Sequence, residues 1–183
     1  MSDYFSRLHL FENSKLRVDV PHQSFRASVA ILIRPDDHFC MIRRAVNEGD
    51  YWSGHMGFPG GRESVEDDSL IDTAIRETKE EIDVELTLNQ YCGRLADLEH
   101  PRLQVSAFIF QVPHGLRCTP EESEVAEIHW LPLNAFTDST DRKTRPATYK
   151  GQSYDAPVVH VGTADVWGLS LGFIDSLIVG IRG

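Results

Sequence analysis

Periodic patterns of apolar residues divide most of the chain into short strands and two helices. Runs of β-branched and aliphatic residues predict strands, and the turn RPDDH between the first two predicts a hairpin. Apolar residues spaced at i, i+3 and i+4 predict helices. The expected strands cover 24–33, 39–44, 91–98, 105–112, 124–131 and 157–161, and the expected helices start after residues 67–69 and at residue 166.

Two segments lack these patterns. Residues 1–22 predict an arm or a short helix closed by Pro21, and residues 137–157 are polar without a period, which predicts a long loop. No internal repeat or low-complexity linker interrupts the chain. We therefore expect a single domain over residues 1–183 with an α/β or α+β fold.

The first predicted helix carries a dense group of acids just behind a glycine pair. Glu77, Glu80 and Glu81 lie at i, i+3 and i+4, so they fall within one arc of roughly 100° beside the apolar stripe. Arg76 precedes Glu80 by four residues and can hold its carboxylate. Two unit charges 4–5 Å apart repel by about 3–4 kcal/mol at an effective dielectric constant near 20. Solvation, proton uptake or a bound cation must relieve this repulsion.

Two interpretations of the acidic face follow. A solvated face paired with Arg76 and Lys79 is one, and a cation site is the other. Oxygen ligands suit Mg²⁺ or Mn²⁺, whereas calcium has no EF-hand spacing to support it. Gly60 and Gly61 favour the cation site, because glycines let the backbone approach the helix closely and offer carbonyls and amides to a metal or phosphate.

The charge and the cysteines narrow the class of protein. The net charge is −10, from 28 acids against 18 bases, which disfavours a general nucleic-acid binder. No segment approaches the roughly 18 apolar residues of a membrane span, and residues 1–18 lack the apolar core of a secretory signal. The three cysteines form no CxxC pair. We expect a cytoplasmic protein with no membrane or nucleic-acid partner.

The acidic helix and its glycine pair resemble the signature of the Nudix hydrolase family, G-x5-E-x7-R-E-U-x-E-E-x-G-U, where U is aliphatic. The second half stands at 76–84, and the first half begins at Gly61. The interval between them is one residue longer, so that the first acid is Asp67 or Asp68. Asp83 stands where the family has glycine, and Thr78 replaces an aliphatic residue.

The longer interval is similar to the coenzyme A diphosphatase branch of this family, which also has FPGG followed by a longer loop and an Asp. The stretch SGHMGFPGG at 53–61 resembles an upstream element of that branch. The stretch WGLS at 167–170 resembles its W-G-x-[ST] helix start. Trp52 departs from the branch, which usually has His at that position.

The resemblance implies a mixed β-sheet sandwiched by helices, with residues 58–84 as a loop–helix–loop motif. It implies hydrolysis of a nucleoside diphosphate linked to another moiety, most closely coenzyme A or a derivative, with Mg²⁺ or Mn²⁺. Glu77, Glu80 and Glu81 would be metal ligands together with a carbonyl of Gly60 or Gly61, and Arg76 would orient the carboxylates. ADP-ribose, a dinucleotide or a nucleoside triphosphate are alternative substrates, and a non-catalytic binding module is a further alternative.

The other candidate residues have two interpretations each. The general base is Glu81 or an acid from another loop, for which Glu124 is the candidate, although that loop is also consistent with a solvated surface. Arg43 or Arg44 reaches the substrate phosphates or forms surface ion pairs, and the backbone of Gly60 lies beside the substrate.

Outside the motif, the sequence offers weaker signals. The basic residues 142, 143, 145 and 150 of the predicted loop either attract an anion or are solvated. Trp167 is expected to pack at the helix entry, and His55 is notable for its place next to the glycine loop. The arm and the last helix are compatible with a homodimer, which is frequent in this family.

Overall fold

The computed structural model describes residues 25–50, 52–100, 103–137, 142–149 and 152–182, and places them in two sheets and two α-helices. The helices are α1 (Leu70–Ile82) and α2 (Gly168–Arg182), and short 3₁₀ turns cover Leu88–Gln90 and Leu133–Phe136. The larger sheet contains β1 (Phe25–Ile33), β2 (His38–Arg44), β3 (Met56–Gly57), β4 (Gly60–Arg62), β5 (Tyr91–Arg94), β6 (Leu98–His100), β7 (Leu103–Gln111) and β8 (Val125–Pro132). The smaller sheet contains β9 (Lys143–Tyr149), β10 (Gln152–Val161) and β11 (Ala164–Trp167).

The larger sheet is mixed. Its central strands β1 and β7 are parallel, and the pairs around them are antiparallel. The predicted hairpin of β1 and β2 is confirmed, with Ile33 opposite Phe39. Strand β4 pairs with β1, where Gly60, Gly61 and Arg62 lie opposite Val29, Ser28 and Ala27. This pairing brings the two glycines beside the centre of the sheet.

Both faces of the sheet are buried, because successive residues of a strand point to opposite faces. On β1, Ala30 and Leu32 pack with α1, whereas Ile31 and Ile33 pack with α2 and the smaller sheet. The sheet thus lies between helices, and the predicted α/β or α+β class is confirmed.

The prediction of a long loop over residues 137–157 is wrong for the described part of that segment. Strands β9 and β10 form an antiparallel hairpin there, with Gln152 opposite Tyr149. The sequence of β9, KTRPATY, is polar because the strand buries little, while the burial on β10 begins at Ala156 and Val158. An apolar alternation that would predict a strand is therefore missing.

The other boundaries differ in detail. The predicted strand over 91–98 is divided into β5 and β6, and the last helix begins at Gly168 because residues 164–167 form strand β11. The predicted arm at 1–22 lies outside the described residues. Within the described part of the chain, neither helix is long and apolar enough to cross a bilayer.

Candidate functional site

The glycine pair fits between the sheet and α1 only because neither residue has a side chain. Gly60 has φ +150°, and a Cβ there would lie 2.2 Å from the carbonyl oxygen of Ser28. A Cβ on Gly61 would lie 2.3 Å from a carboxylate oxygen of Glu77. The close approach of loop and helix expected from the sequence is present.

Arg76 holds the acidic residues of α1 in place. Its Nη1 donates to Glu77 at 2.8 Å and to Glu80 at 3.0 Å, the expected i, i+4 pair. Its Nε and Nη2 each donate to Asp67 at 2.9 Å. Asp67 is therefore the acid that stands in the motif, and Asp68 is exposed. The hydrogen bond from Arg76 keeps the pKa of Asp67 well below its ordinary value.

Glu81 is the most deeply buried carboxylate of this group. Its side chain is 1% exposed, and its Oε2 accepts a 2.8 Å hydrogen bond from the backbone N–H of Gly60. Nη1 of Arg44 lies 3.7 Å from its other oxygen. Burial raises the pKa of Glu81 to about 8 despite these two contacts, and the charges of Glu77 and Glu124 add to the rise. Burial thus disfavours the charged form of Glu81.

Glu77 shares this environment. Its side chain is 15% exposed, and burial raises its pKa even though Arg76 lies beside it. The charges of Glu80 and Glu124 contribute to that rise. Glu80 itself is 56% exposed and does not line the cavity described below. Glu77 and Glu81 are thus the acids of α1 that face the same space.

Glu124 reaches this space from a different element. The loop that precedes β8 docks on the carboxyl end of α1, where the backbone N–H groups of Thr119 and Glu121 donate to the carbonyls of Ile82 and Glu81, both at 2.9 Å. These bonds satisfy helix carbonyls that would otherwise lack partners. The loop is thereby fixed, and Glu124 lines the same cavity as Glu77 and Glu81.

The two arginines at the end of β2 have different surroundings. Arg44 lines the cavity and donates to Asp50 at 3.1 and 3.2 Å. Arg43 donates instead to Glu127 at 3.0 Å and to the carbonyl of Thr163 at 2.7 Å, and it does not line the cavity. Adjacent strand residues point to opposite faces, so the two side chains separate. Arg43 thus lies outside the cavity, in the ion pair that was its alternative interpretation, and substrate binding by Arg44 stays a prediction.

A cavity of about 470 Å³ extends from these carboxylates to a group of aromatic side chains. The ring of Trp52 lies 5.7 Å from that of His100, and the ring of His55 lies 5.0 Å from that of Trp167. Tyr154 of β10 also lines the cavity. We call the part lined by Glu77, Glu81 and Glu124 the acidic end, and the part lined by these five rings the aromatic end.

Sequence reasoning missed several of these residues. No motif in the sequence marks Asp50, His100 or Tyr154. Trp167 was expected only to pack at the helix entry, yet it lines the cavity. These residues come from separate segments that only the fold brings together. The position of His55 next to the glycine loop in the sequence is the signal that could have indicated its place in the cavity wall.

The acidic end suits a hard divalent cation in its chemistry. It offers carboxylate oxygens, and burial raises the pKa values of Glu77 and Glu81, so that a bound cation would stabilise their charged forms. Among the described residues, no three acidic, histidine or cysteine side chains already surround a single point as ligands. Glu77 and Glu80 are instead joined through Nη1 of Arg76. Glu77 and Glu81, which line the cavity, are therefore the acids of α1 that would hold a cation there.

Comparisons with known proteins agree with the resemblance seen in the sequence. A family model of the NUDIX domain matches residues 24–150. The chain is 27% identical over 178 residues to an uncharacterized Nudix hydrolase, NudL, from Pectobacterium atrosepticum, and this match covers 97% of the chain and 92% of that protein. It is 37% identical over 102 residues to the uncharacterized protein C14C4.10c of Schizosaccharomyces pombe, and this match covers 51% of the chain but only 31% of that longer protein.

The fold has counterparts among solved structures. A MutT/nudix family protein from Enterococcus faecalis superposes with a TM-score of 0.62 at 14% sequence identity, covering 92% of this chain and 66% of that one. At this identity the likeness shows the fold alone. The family model, however, spans well over half of the chain. The chain therefore belongs to the NUDIX domain family of hydrolases.

Proposed function

We propose that this protein hydrolyses a diphosphate bond in a nucleoside diphosphate linked to another moiety, with coenzyme A or a derivative as its substrate. The observation that carries the proposal is the single cavity that joins Glu77, Glu81 and Glu124 to the aromatic end. A diphosphate needs a cation and hard oxygen ligands, and a nucleotide conjugate needs apolar, ring-bearing walls. Both requirements meet in one space.

Glu77 and Glu81 would hold Mg²⁺ or Mn²⁺ at the acidic end, and members of this family generally use divalent metal ions. Such a cation neutralises the diphosphate and activates a water molecule when it is bound. Gly61 lines the cavity beside both acids, and its carbonyl stays a predicted ligand. Glu80 holds Arg76 in place from the exposed side, because its Oε2 accepts a 3.0 Å hydrogen bond from Nη1 of Arg76.

Glu124 is our candidate for the proton acceptor. It lies in the cavity but on a different element from the acids of α1, so it can accept a proton from the attacking water while they hold the cation. Arg44 is the arginine of β2 that faces the cavity, and it lies between Asp50 and Glu81. We place it near the diphosphate of the substrate. The oxygens of a phosphoryl group suit its planar fork of donors.

Contacts between two motif segments support coenzyme A. The SGHMGFPGG and WGLS stretches both resemble the coenzyme A diphosphatase branch, and in the fold they meet. Ser170 Oγ donates to the carbonyl of Met56 at 3.2 Å, which ties the start of α2 to β3 just before the glycine pair. Gly57, Trp167 and Gly168 all line the cavity.

Trp52 favours a second candidate within the same chemistry. It lines the cavity where the branch usually has His, so the wall at this point differs from that branch. A flat ring there suits the base or sugar of ADP-ribose or of a dinucleotide. The net charge of −10 supports a small-molecule substrate in both cases rather than nucleic acid.

A product analysis tests the proposal. The protein is incubated with Mg²⁺ or Mn²⁺ and with coenzyme A, ADP-ribose, a dinucleotide or a nucleoside triphosphate. We expect coenzyme A to be cleaved fastest, giving adenosine 3′,5′-bisphosphate and 4′-phosphopantetheine. Glu81→Gln should lower turnover by at least about 100-fold, because a ligand of the cation is lost. Glu124→Gln should lower kcat with little change in KM.

Glu85→Gln is the matched control, since Glu85 is 81% exposed and pairs with Lys79 on the far side of the helix end. It should keep the wild-type rate. Faster cleavage of another diphosphate would support the proposed hydrolysis but would refute coenzyme A as the preferred substrate. No cleavage of any member of the panel with either metal would refute the proposed hydrolase.

A further inference from the structure

The hairpin of β9 and β10 places a cation next to the aromatic end of the cavity. Arg145 lies opposite Ala156, and Tyr154 lies opposite Ala147, so Arg145 and Tyr154 are diagonal neighbours on one face of the hairpin. Tyr154 lines the cavity, and Ala156 is buried. Arg145 does not itself line the cavity, but its neighbours Tyr154 and Trp167 do, so its guanidinium lies beside the cavity wall.

The guanidinium of Arg145 stacks on the indole of Trp167. Its Cζ lies 4.1 Å from the ring centroid, and the other neighbour of that indole is His55, with 5.0 Å between ring centroids. A guanidinium stacked in this way keeps its N–H donors free at its edge. Burial, followed by the charge of Arg145, lowers the pKa of His55, so this charge is felt inside the cavity wall.

No carboxylate among the described residues lies within ion-pair distance of Arg145. The other arginines of this region are engaged: Arg44 pairs with Asp50, and Arg142, just before β9, pairs with Asp175. Arg145 is thus held in position by an aromatic ring and still lacks an anion. That combination is suited to binding a phosphate group, because the fork of donors is oriented before the ligand arrives.

We infer that Arg145, stacked on Trp167 and flanked by Tyr154, binds a phosphate monoester that the substrate carries on its nucleoside, apart from the diphosphate. The inference rests on the proposed function and makes Arg145 a specificity-determining residue. It selects conjugates with a distal phosphate monoester over the same conjugates without one. Coenzyme A and dephospho-coenzyme A form such a pair, since they differ only in the 3′-phosphate of the adenosine.

The distribution of charge in the cavity explains why this contact selects among substrates. The acidic end is lined by Glu77, Glu81 and Glu124, so that a phosphate binds tightly there only together with a cation, and its arginine is already shared between Asp50 and Glu81. Every diphosphate substrate would use the same cation and the same arginine at the acidic end. The cation at the aromatic end is used only by a substrate with a further anionic group, so this contact distinguishes substrates that the acidic end treats alike.

Binding without metal separates this inference from the proposed function. Quenching of tryptophan fluorescence is measured in EDTA with adenosine 3′,5′-bisphosphate and with adenosine 5′-phosphate. The wild type should bind the bisphosphate at least about tenfold more tightly, as expected for one charge-assisted phosphate contact. Arg145→Ala should bring the two affinities within about twofold, and Arg145→Lys should keep part of the difference, because the charge remains but the fork is lost.

Lys143→Ala is the matched control, since it removes one positive charge from the same strand at an exposed position. It should keep the wild-type ratio. Equal affinity of the wild type for both nucleotides, no binding of either, or an unchanged ratio in Arg145→Ala would overturn the inference. Thermal unfolding and the affinity for adenosine 5′-phosphate report whether Arg145→Ala is folded.

Turnover then connects the two proposals. We expect Arg145→Ala to lower kcat/KM for coenzyme A about tenfold while leaving dephospho-coenzyme A within about twofold. An equal loss on both substrates would contradict a role in specificity. Absence of any hydrolysis by the wild type, with the binding ratio intact, would refute the hydrolase proposal and leave the phosphate subsite standing.

Discussion

The acidic and aromatic ends of the cavity are held by different kinds of interaction. At the acidic end, Arg76 makes hydrogen bonds to three carboxylates, and Gly60 and Gly61 fit the backbone against them. At the aromatic end, rings meet edge to face, and Arg145 stacks without an ion pair. Dense charge-assisted networks tolerate little change, whereas ring contacts can be rearranged at small cost. The first end suits a fixed reaction, and the second suits the choice of substrate.

The largest expected effect is at Gly60, where the acidic end has no room. Gly60→Ala should lower the free energy of unfolding by about 3 kcal/mol or more, because the Cβ meets the backbone of Ser28 and φ is +150°. Gly57→Ala is the control, since nothing lies within 4 Å of a Cβ there. Urea unfolding of both variants checks this prediction. An equal, small loss in both would show that the loop yields easily.

The buried carboxylate of Glu81 predicts a pH dependence. Its pKa is raised from 4.5 to about 8, so the folded protein keeps a proton that the unfolded chain releases. The metal-free protein should therefore lose stability as the pH rises from about 4.5 to about 8, by an amount of the order of a few kcal/mol. Glu81→Gln should be more stable than the wild type at pH 8.5 and similar to it near pH 4.5.

Thermal unfolding in EDTA at several pH values measures this effect. Glu77 contributes in the same direction but is present in both proteins, so the difference between them isolates Glu81. Added Mg²⁺ or Mn²⁺ should reduce the difference, because the cation replaces the proton. Parallel profiles for the two proteins would mean that Glu81 is ionised without penalty.

The network around Arg76 gives the next effect in size. Asp67→Asn should lower the free energy of unfolding by about 2 kcal/mol, since Asp67 accepts two bonds from Arg76 and its side chain is 4% exposed. Arg76 lowers the pKa of Asp67, so this stabilisation is present above about pH 4 and is lost as the pH falls. The exposed Asp68 provides the control, and Asp68→Asn should change urea unfolding little. The reverse order would assign the motif acid to Asp68.

The acidic end could largely be predicted from the sequence, because its residues lie close together along the chain. The spacing of Glu77 and Glu81 is enough to place them on one face of the helix. The adjacent Gly60 and Gly61 indicate that the backbone approaches that helix closely. The choice between Asp67 and Asp68 could not be made, because an inserted residue in a loop gives no indication of which side chain turns inward. The side chain of Glu81 also contacts Gly60 of β4 and Arg44 of β2, which the helix pattern does not contain.

The aromatic end could not be predicted, for a physical reason. Trp52, His100 and Tyr154 come from three distant segments, and only the pairing of strands brings them together. The hairpin that carries Tyr154 has polar strands, since most of its residues are not buried. Such a strand lacks the alternation of apolar residues by which sequence patterns identify a sheet. The end of the cavity to which we assign the choice of substrate is thus the end with the weakest sequence signal.

The neighbouring arginines of β2 test the boundary of the cavity. Arg44→Ala should lower kcat/KM about tenfold, because it removes the cation beside Asp50 and Glu81. Arg43→Ala should remain within about twofold of the wild type, since its guanidinium bonds Glu127 and the carbonyl of Thr163. Steady-state kinetics on the preferred diphosphate measures both variants. A larger loss for Arg43 would show that its side chain leaves Glu127 for the substrate.

The smallest effect is expected at Asp83, which ends α1 where the family has glycine. Asp83 has φ +55° and ψ +37°, a left-handed conformation that strains a residue with a Cβ, and its N–H donates to the carbonyl of Lys79 at 3.0 Å. Asp83→Gly relieves the strain but increases the freedom of the unfolded chain and removes an exposed ion pair with Lys79. We expect a net gain of about 0.5 kcal/mol in urea unfolding with unchanged kcat. Asp83→Ala keeps the Cβ and loses the ion pair, so it should be less stable than the wild type. If Asp83→Gly is also less stable than the wild type, the ion pair with Lys79 contributes more than the strain costs. The ion pair would then compensate for the absence of the family's glycine.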